Sequence, residues 1–213
     1  MRSLLAASAL ALGVSVPGLA AAQDLSVSAG FTLTSRYVSS GIEQTKGAAF
    51  QPWVEAEIAG FYFGAWASNT TKSVIGHSAE IDLYLGYRNQ IGIFAYDVGY
   101  ARYFYRGPSW DCCGEITLDL SVTPVEQFTV GLDIAHDPSA DVTNSAVYAS
   151  FAPMDKITLD ATYGEINKGG HSYWSVGAGY AVTDSLGLSL AYHDTDISKG
   201  LAVLSLDYSF SIR

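Results

Sequence analysis

The sequence contains no apolar run long enough to cross a membrane as a helix. An apolar stretch from Leu4 to Val16 follows Arg2, but a spanning helix needs about 20 such residues. Small residues at 20–22 complete the pattern of a secretory signal peptide. We therefore predict that residues 1–22 are a signal peptide cleaved after Ala22. Any membrane insertion of the remaining chain must then come from strands.

Basic residues are scarce. The sequence has 11 Lys and Arg against 21 Asp and Glu, and loss of Arg2 with the signal peptide leaves a net charge of −11. Such an acidic chain repels phosphate backbones, so we expect no nucleic-acid partner. No Pro- or Ser-rich linker and no block of like charge divides the rest. We expect residues 23–213 to form a single domain.

The sequence has only two cysteines, and Cys112 and Cys113 are adjacent. Their Cα atoms must lie about 3.8 Å apart, below the usual disulfide range of roughly 4.4–6.8 Å. The pair therefore does not predict a disulfide that staples distant parts of the fold. The spacing favours a loop pair without an essential role. A vicinal disulfide, a cross-link to another chain and a soft-metal site remain alternatives.

Patterns for catalysis or metal binding are also missing. The four histidines lie in or beside predicted loops, with no recurring metal-ligand spacing: His77, His136, His171 and His193. The neighbours of His193, Tyr192 and Asp194, supply no hydroxyl nucleophile for serine chemistry. We expect no enzyme activity, no catalytic residue, no metal site and no cofactor.

Alternation of apolar and polar residues is what the sequence has in abundance. In residues 115–122, Ile116, Leu118 and Leu120 fall on one face of a strand and the polar residues fall on the other. Most candidate strands are longer than the ~5–6 residues usual in soluble proteins and approach the ~9–11 of a tilted membrane strand. The twelve candidates are 24–38, 48–58, 61–68, 79–88, 93–105, 114–122, 127–135, 144–151, 157–165, 172–181, 186–193 and 201–212.

The connections between these strands alternate between short and long. Tight turns, such as 59–60 and 123–126, are separated by longer polar loops, such as 39–47, 136–143 and 194–200. This arrangement is typical of outer-membrane barrels, which have short periplasmic turns and longer extracellular loops. The sequence therefore predicts an all-β protein, a transmembrane antiparallel up-and-down β-barrel of about 12 strands.

Aromatic residues on the predicted apolar face gather at both strand ends. The turn-side set is Phe61, Tyr87, Phe94, Phe128, Phe151, Tyr180 and Phe210, and the loop-side set is Tyr37, Phe50, Phe104, Tyr163, Trp174 and Tyr192. Amphipathic rings concentrate at the two interfaces of a bilayer, which favours contact with membrane lipid.

The predicted inner face carries far more acids than bases. Its candidate lumen-lining residues are Glu55, Glu57, Glu80, Asp82, Asp97, Glu115, Asp119, Asp133, Asp160 and Asp207, with Arg36 and Arg88. Carboxylates around a narrow aqueous space attract cations. The alternative is that these acids are merely a solvated face or are neutralised by their neighbours.

Several stretches resemble the TorF-type porin family of Gram-negative bacteria. The resemblance is carried by residues 35–45, 60–69, 80–87 and 96–100, and it covers most of residues 23–213. It implies a signal peptide and an outer-membrane β-barrel. Where the family usually has an arginine before the glycine of the first loop, this chain has Ser40.

Together these features predict a porin-like passive channel for small hydrophilic solutes in the outer membrane, with a preference for cations. Its expected partners are the lipid bilayer and the solutes or cations that pass. The alternative is a closed outer-membrane barrel whose extracellular loops bind partners or divalent ions. The sequence indicates neither the solute nor the oligomeric state.

Overall fold

The chain folds into a closed barrel of twelve antiparallel strands. The computed structural model describes residues 25–107 and 111–212, so the predicted signal peptide lies outside the described residues. The predicted all-β class and twelve-stranded barrel are confirmed. None of the helices in the described residues is long and apolar enough to cross a membrane.

The elements follow one another around the barrel in chain order. The barrel strands are β1 (Ser26–Thr34), β4 (Ala49–Ile58), β5 (Phe61–Asn69), β6 (Ala79–Ile91), β7 (Phe94–Tyr105), β8 (Asp111–Val125), β9 (Phe128–Asp137), β10 (Val142–Met154), β11 (Ile157–Ile166), β12 (Ser172–Ala181), β13 (Leu186–Thr195) and β14 (Ser198–Ser211). A small hairpin of β2 (Val38–Ser39) and β3 (Ile42–Glu43) lies between β1 and β4, and a one-turn helix, α1 (Lys72–Ile75), lies between β5 and β6.

Each barrel strand pairs with its neighbours in the chain, and β1 closes the barrel by pairing with β14. Phe31 of β1 lies opposite Tyr208 of β14 and opposite Pro52 of β4. Such closure satisfies the backbone hydrogen bonds of every strand and leaves no free sheet edge, as spanning a bilayer requires.

The predicted strand limits differ most at the end of β1. The alternation predicts a strand that continues to residue 38, but β1 ends at Thr34. The Thr34 hydroxyl donates to the Arg36 carbonyl oxygen at 2.8 Å. The chain leaves the barrel wall there. Residues 35–48, which connect β1 to β4 and include β2 and β3, are called L1 below.

The two rims of the barrel differ. The turn rim has tight connections such as residues 59–60, where Ala59 and Gly60 both have positive φ (58° and 82°), as hairpin turns require. At the opposite loop rim, L1 and residues 70–78 are long, but the connections at 138–141, 167–171 and 196–197 are short. The predicted long loops at 136–143 and 194–200 are wrong, because β9, β10, β13 and β14 extend into them.

Candidate functional site

The barrel has an apolar outer face and a polar inner face. On β6, Leu83 and Leu85 expose 51% and 59% of their surface outward. Glu80, Asp82 and Arg88 occupy the alternate positions and therefore face the interior. The other strand residues proposed to line the lumen alternate with outward apolar residues in the same way: Glu55, Glu57, Asp97, Glu115, Asp119, Asp133, Asp160 and Asp207.

Asp97, Asp119 and Asp133 form an acidic row across β7, β8 and β9. Asp97 lies opposite Asp119, and Asp119 lies opposite Asp133. Directly opposed Cβ atoms are about 4.5–5.5 Å apart, where like charges repel. Hydroxyl donors stabilise part of the row, since Tyr62 donates to Asp97 at 2.5 Å and Tyr148 donates to Asp119 at 3.1 Å. The row therefore concentrates negative potential on one side of the lumen.

Arg88 adjoins one end of this row. Its Nη2 donates to Glu55 Oε1 at 2.6 Å, and its Nε lies 3.6 Å from Glu57 Oε2 and 3.9 Å from Asp97 Oδ2. The guanidinium carbon is 4.0 Å from the centre of the Tyr62 ring, which is favourable cation–π geometry. One base thus faces three carboxylates and offsets only part of their charge.

A second acidic group lies nearer the loop rim, at Glu80, Asp82 and Glu115. Their exposed fractions are 0%, 0% and 5%. Tyr105 donates to Glu80 Oε1 at 2.7 Å, and Tyr103 donates to Glu115 Oε2 at 2.8 Å. Both Asp82 oxygens and Glu80 Oε2 have no hydrogen-bond partner among the described residues. Burying an ionised carboxylate in this way is costly.

Tyr37 of L1 covers this second group. Its ring packs edge-on against Trp66, with centroids 5.5 Å apart, and only 6% of its surface is exposed. Burial, followed by the charges of Glu80 and Asp82, raises the pKa of the Tyr37 hydroxyl well above its ordinary value. The hydroxyl therefore remains neutral. The predicted outward position of Tyr37 in the loop-side aromatic set is wrong, because the chain turns inward after Ser35, whose N–H still donates to the Leu204 carbonyl oxygen of β14 at 2.8 Å.

The tip of L1 reaches the opposite wall. His171 Nε2 donates to the Ser40 carbonyl oxygen at 2.7 Å, and Asn144 Nδ2 donates to Ser40 Oγ at 3.2 Å. Gly41 has a φ of 76°, and a Cβ at this position would lie 2.6 Å from Thr195 Cγ2. L1 therefore crosses the loop-rim opening from β5–β7 to β10–β13.

Arg36 lies in L1 and not on a barrel strand. Its Nε donates to Glu43 Oε1 at 2.8 Å, across the β2–β3 hairpin. Both side chains are about one-third exposed, at 37% each. Arg36 therefore pairs with a carboxylate of L1, whereas Arg88 pairs with carboxylates of the barrel strands.

Glycines on the inner face allow tyrosine rings to lie against the wall. A Cβ at Gly64 would overlap the Tyr84 ring, and one at Gly131 would overlap the Tyr148 ring. Any larger residue would push these rings into the interior. The pairs therefore keep bulky side chains close to the wall.

The outer face retains most of the predicted aromatic residues. At the loop side, Phe50, Tyr163, Trp174 and Tyr192 are 49%, 55%, 38% and 40% exposed. At the turn side, exposed rings include Phe61, Phe94, Phe151, Tyr180 and Phe210. Rings exposed at both ends of an apolar wall match the interfaces of a bilayer.

Cys112 and Cys113 are joined by a disulfide, with Cα atoms 3.8 Å apart. Of the alternatives that the sequence left open, the structure has the vicinal disulfide, and the favoured loop position is wrong because both cysteines lie in β8. Cys113 packs against a small cluster that includes Tyr103 and Tyr105. Within residues 25–107 and 111–212, no three His, Cys, Asp or Glu side chains are arranged to hold a metal ion.

Sequence reasoning missed the path of L1 and the burial of Glu80 and Asp82 beneath it. The signal available was Ser39-Ser40-Gly41, three turn-forming residues between two short apolar stretches. They indicate a hairpin, and β2 and β3 form one. Nothing local indicates that this hairpin lies across the opening.

The fold is that of a porin-like transmembrane barrel. It superposes on the KdgM porin with a TM-score of 0.68 at 10% identity, covering 86% of this chain and 99% of that one. The KdgM porin in complex with disordered oligogalacturonate superposes with a TM-score of 0.64 at 9% identity, covering 87% and 99%. At such low identity the likeness establishes the fold alone.

The chain belongs to the Gcw_chp family, described as a bacterial protein of unknown function, whose model matches residues 19–209. No curated protein matches the sequence significantly. None of these matches names the TorF-type family, so the resemblance seen in the sequence motifs stays a prediction.

Proposed function

We propose that this protein is a passive outer-membrane channel for small hydrophilic solutes and that it prefers cations. The observation that carries the proposal is the acidic row of Asp97, Asp119 and Asp133 on adjacent strands of a porin-like barrel. Arg88 partly compensates one end of the row. An entering cation would replace repulsion between carboxylates with attraction, whereas an anion would increase the repulsion.

The outer surface supports a membrane location. Large apolar side chains are exposed around the barrel, including Phe63 at 65% and Leu190 at 56%. In water this would be a very large apolar patch, whereas lipid would cover it. Outer-membrane barrels stay folded in cold detergent, so we expect a shift in gel mobility after boiling. Unchanged mobility with a helical circular dichroism spectrum would contradict the location and the fold.

The solute of the structural neighbour is not transferred to this chain. One KdgM porin structure contains oligogalacturonate, a polymer of carboxylate-bearing sugars. The acidic row would repel such an anion. We therefore assign the class of small neutral or cationic hydrophilic solutes and exclude acidic oligosaccharides from the proposal.

A planar bilayer with a salt gradient tests the proposal directly. We expect discrete current steps and a reversal potential of cationic sign. The matched control is Asp155→Asn with Asp184→Asn, which neutralises two exposed acids at the turn rim and should leave the reversal potential unchanged. A reversal potential of anionic sign would refute the role of the acidic row.

The second candidate is a closed outer-membrane barrel with a structural or partner-binding role. It is favoured by L1, because Ser40 at the tip contacts His171 and Asn144 on the far wall. A bilayer that stays silent with correctly folded protein would support this candidate and reject the channel.

A further inference from the structure

L1 is attached to the barrel at two places, near β4 and at its tip. Near β4, Thr71 donates its backbone N–H to the Gln44 carbonyl oxygen at 2.9 Å, and Thr71 Oγ1 accepts from the Lys46 N–H at 3.0 Å. At the tip, Ser40 receives the two hydrogen bonds from His171 and Asn144. Tyr37 is hydrogen-bonded to the end near β4, because its N–H donates to Thr45 Oγ1 at 2.9 Å and its carbonyl oxygen accepts from the Gln44 N–H at 2.7 Å. Opening therefore requires release of the tip and movement of the Tyr37 side chain away from Trp66.

Closure of L1 has an electrostatic consequence beneath Tyr37. The closed loop keeps Glu80 and Asp82 away from water, although three of their four carboxylate oxygens lack a hydrogen-bond partner among the described residues. Lifting Tyr37 would allow water to hydrate these oxygens. Ionised carboxylates therefore favour the lifted loop, and neutral ones favour the closed loop.

Several other ionisable groups face this arrangement. Tyr103 and Tyr105 come from β7, Glu115 comes from β8, and His77 lies with its ring centre 5.1 Å from that of Tyr105. These groups surround the carboxylates from the neighbouring elements. At the far end, His171 touches the L1 tip, so it must be tested separately as a source of pH dependence.

We infer that L1 is a lid over the lumen and that the carboxylates of Glu80 and Asp82 control its closure. Acidification neutralises them and favours the closed lid, and deprotonation favours opening. The inference rests on the proposed channel, because a lid regulates something only if solutes pass. It assigns the regulation of that channel to the buried acids at the loop rim, separately from the acidic row deeper in the lumen.

The experiment compares wild type with the double variant Glu80→Gln and Asp82→Asn at one pH and across an acid titration. In planar bilayers we expect the variant to open less often by about tenfold, the factor that corresponds to one pKa unit of differential interaction. Acidification should lower the open probability of wild type but have little effect on the variant. In hydrogen-exchange mass spectrometry, residues 35–48 should exchange more slowly in the variant.

Three further variants locate the effect. His171→Asn retains an N–H donor without titrating, so it should keep the wild-type acid response. His171→Ala removes a contact of the tip and should increase both opening and exchange of L1, which keeps the inference testable if the buried variant folds poorly. The control Asp155→Asn with Asp184→Asn should match wild type in both measurements.

The two measurements separate failure of the lid from failure of the channel. Unchanged opening and unchanged L1 exchange in the Glu80 and Asp82 variant would overturn the lid. Loss of the acid response in His171→Asn would overturn the role of the carboxylates. A bilayer that is silent for every variant, with L1 exchange still changing as expected, would overturn the channel and the regulatory role while supporting the predicted movement of L1.

Discussion

The two halves of the barrel interior differ in charge and in bulk. All but two of the candidate lumen acids lie on β4–β9, which we call the acidic half. The other half, β10–β14 with β1, carries Asp160 and Asp207 on separate strands. Its remaining inward positions are mostly small or hydroxylated, including Thr162, Ser175, Gly177, Gly179 and Ser189. We call it the small-residue half.

Packing around the inward glycines differs from one position to another. In the acidic half, tyrosine rings cover glycines and donate hydrogen bonds to carboxylates, as Tyr148 does for Asp119 across the boundary at β10. In the small-residue half, the Tyr173 ring covers Gly164, but the atom nearest to a Cβ built at Gly187 is 4.0 Å away. The acidic half therefore carries most of the inward charge, and the small-residue half has open space beside Gly187.

The largest difference between the halves should appear in the free energy of unfolding when one inward glycine of each half is replaced by alanine. Gly131→Ala would place a Cβ in the Tyr148 ring and displace the ring from Asp119. Overpacking of this kind typically costs about 1–3 kcal/mol of unfolding free energy. Gly187→Ala meets only ordinary contact distances and should be neutral or slightly stabilising. Urea unfolding of both variants in detergent measures the difference, and equal destabilisation would contradict the difference in packing between Gly131 and Gly187.

Removing matched pairs of carboxylates should have the next largest effect. A passing cation 6 Å from one carboxylate in water interacts with it by ~0.7 kcal/mol. Losing two carboxylates from the row removes about 1.4 kcal/mol and should lower the cation-to-anion permeability ratio by about tenfold. The test pair is Asp119→Asn with Asp133→Asn, which are neighbours. The comparison pair is Asp160→Asn with Asp207→Asn, whose positions are on separate strands and whose effect should be smaller.

Reversal potentials under a salt gradient give both ratios. Asp207 accepts a hydrogen bond from Thr32 at 2.5 Å, and the structure places no other candidate lumen acid opposite it in register. An equal or larger effect from the Asp160 and Asp207 pair would show that selectivity does not reside in the acidic half.

The strands could be predicted from the sequence because each one alternates between apolar residues on its outer face and polar residues on its inner face. Leu118, Asp119 and Leu120 alternate between the outer and inner faces, so the period is visible within a few residues. The strand number follows by counting such segments. Which acids become neighbours depends on the register between strands, and a shift of one residue would reverse every face.

The course of L1 could not be predicted because it depends on contacts distant in sequence. Ser40 meets Asn144 across 104 positions and His171 across 131. Tyr37 continues the alternation of β1 in sequence, yet it turns inward to contact Trp66. Tertiary contacts override the local pattern there. That is why a residue expected at the lipid interface covers Glu80 and Asp82 instead.

The smallest effect should come from removing the base that meets the acidic row. Arg88→Gln leaves Glu55, Glu57 and Asp97 without a positive neighbour, so the cation preference should rise. One unit charge at 6 Å in water corresponds to ~0.7 kcal/mol, or about threefold in the permeability ratio. Arg106→Gln at the loop rim is the matched control and should leave the reversal potential unchanged. A fall in cation preference in Arg88→Gln would mean that Arg88 organises the carboxylates for cation passage, and not that it merely offsets their charge.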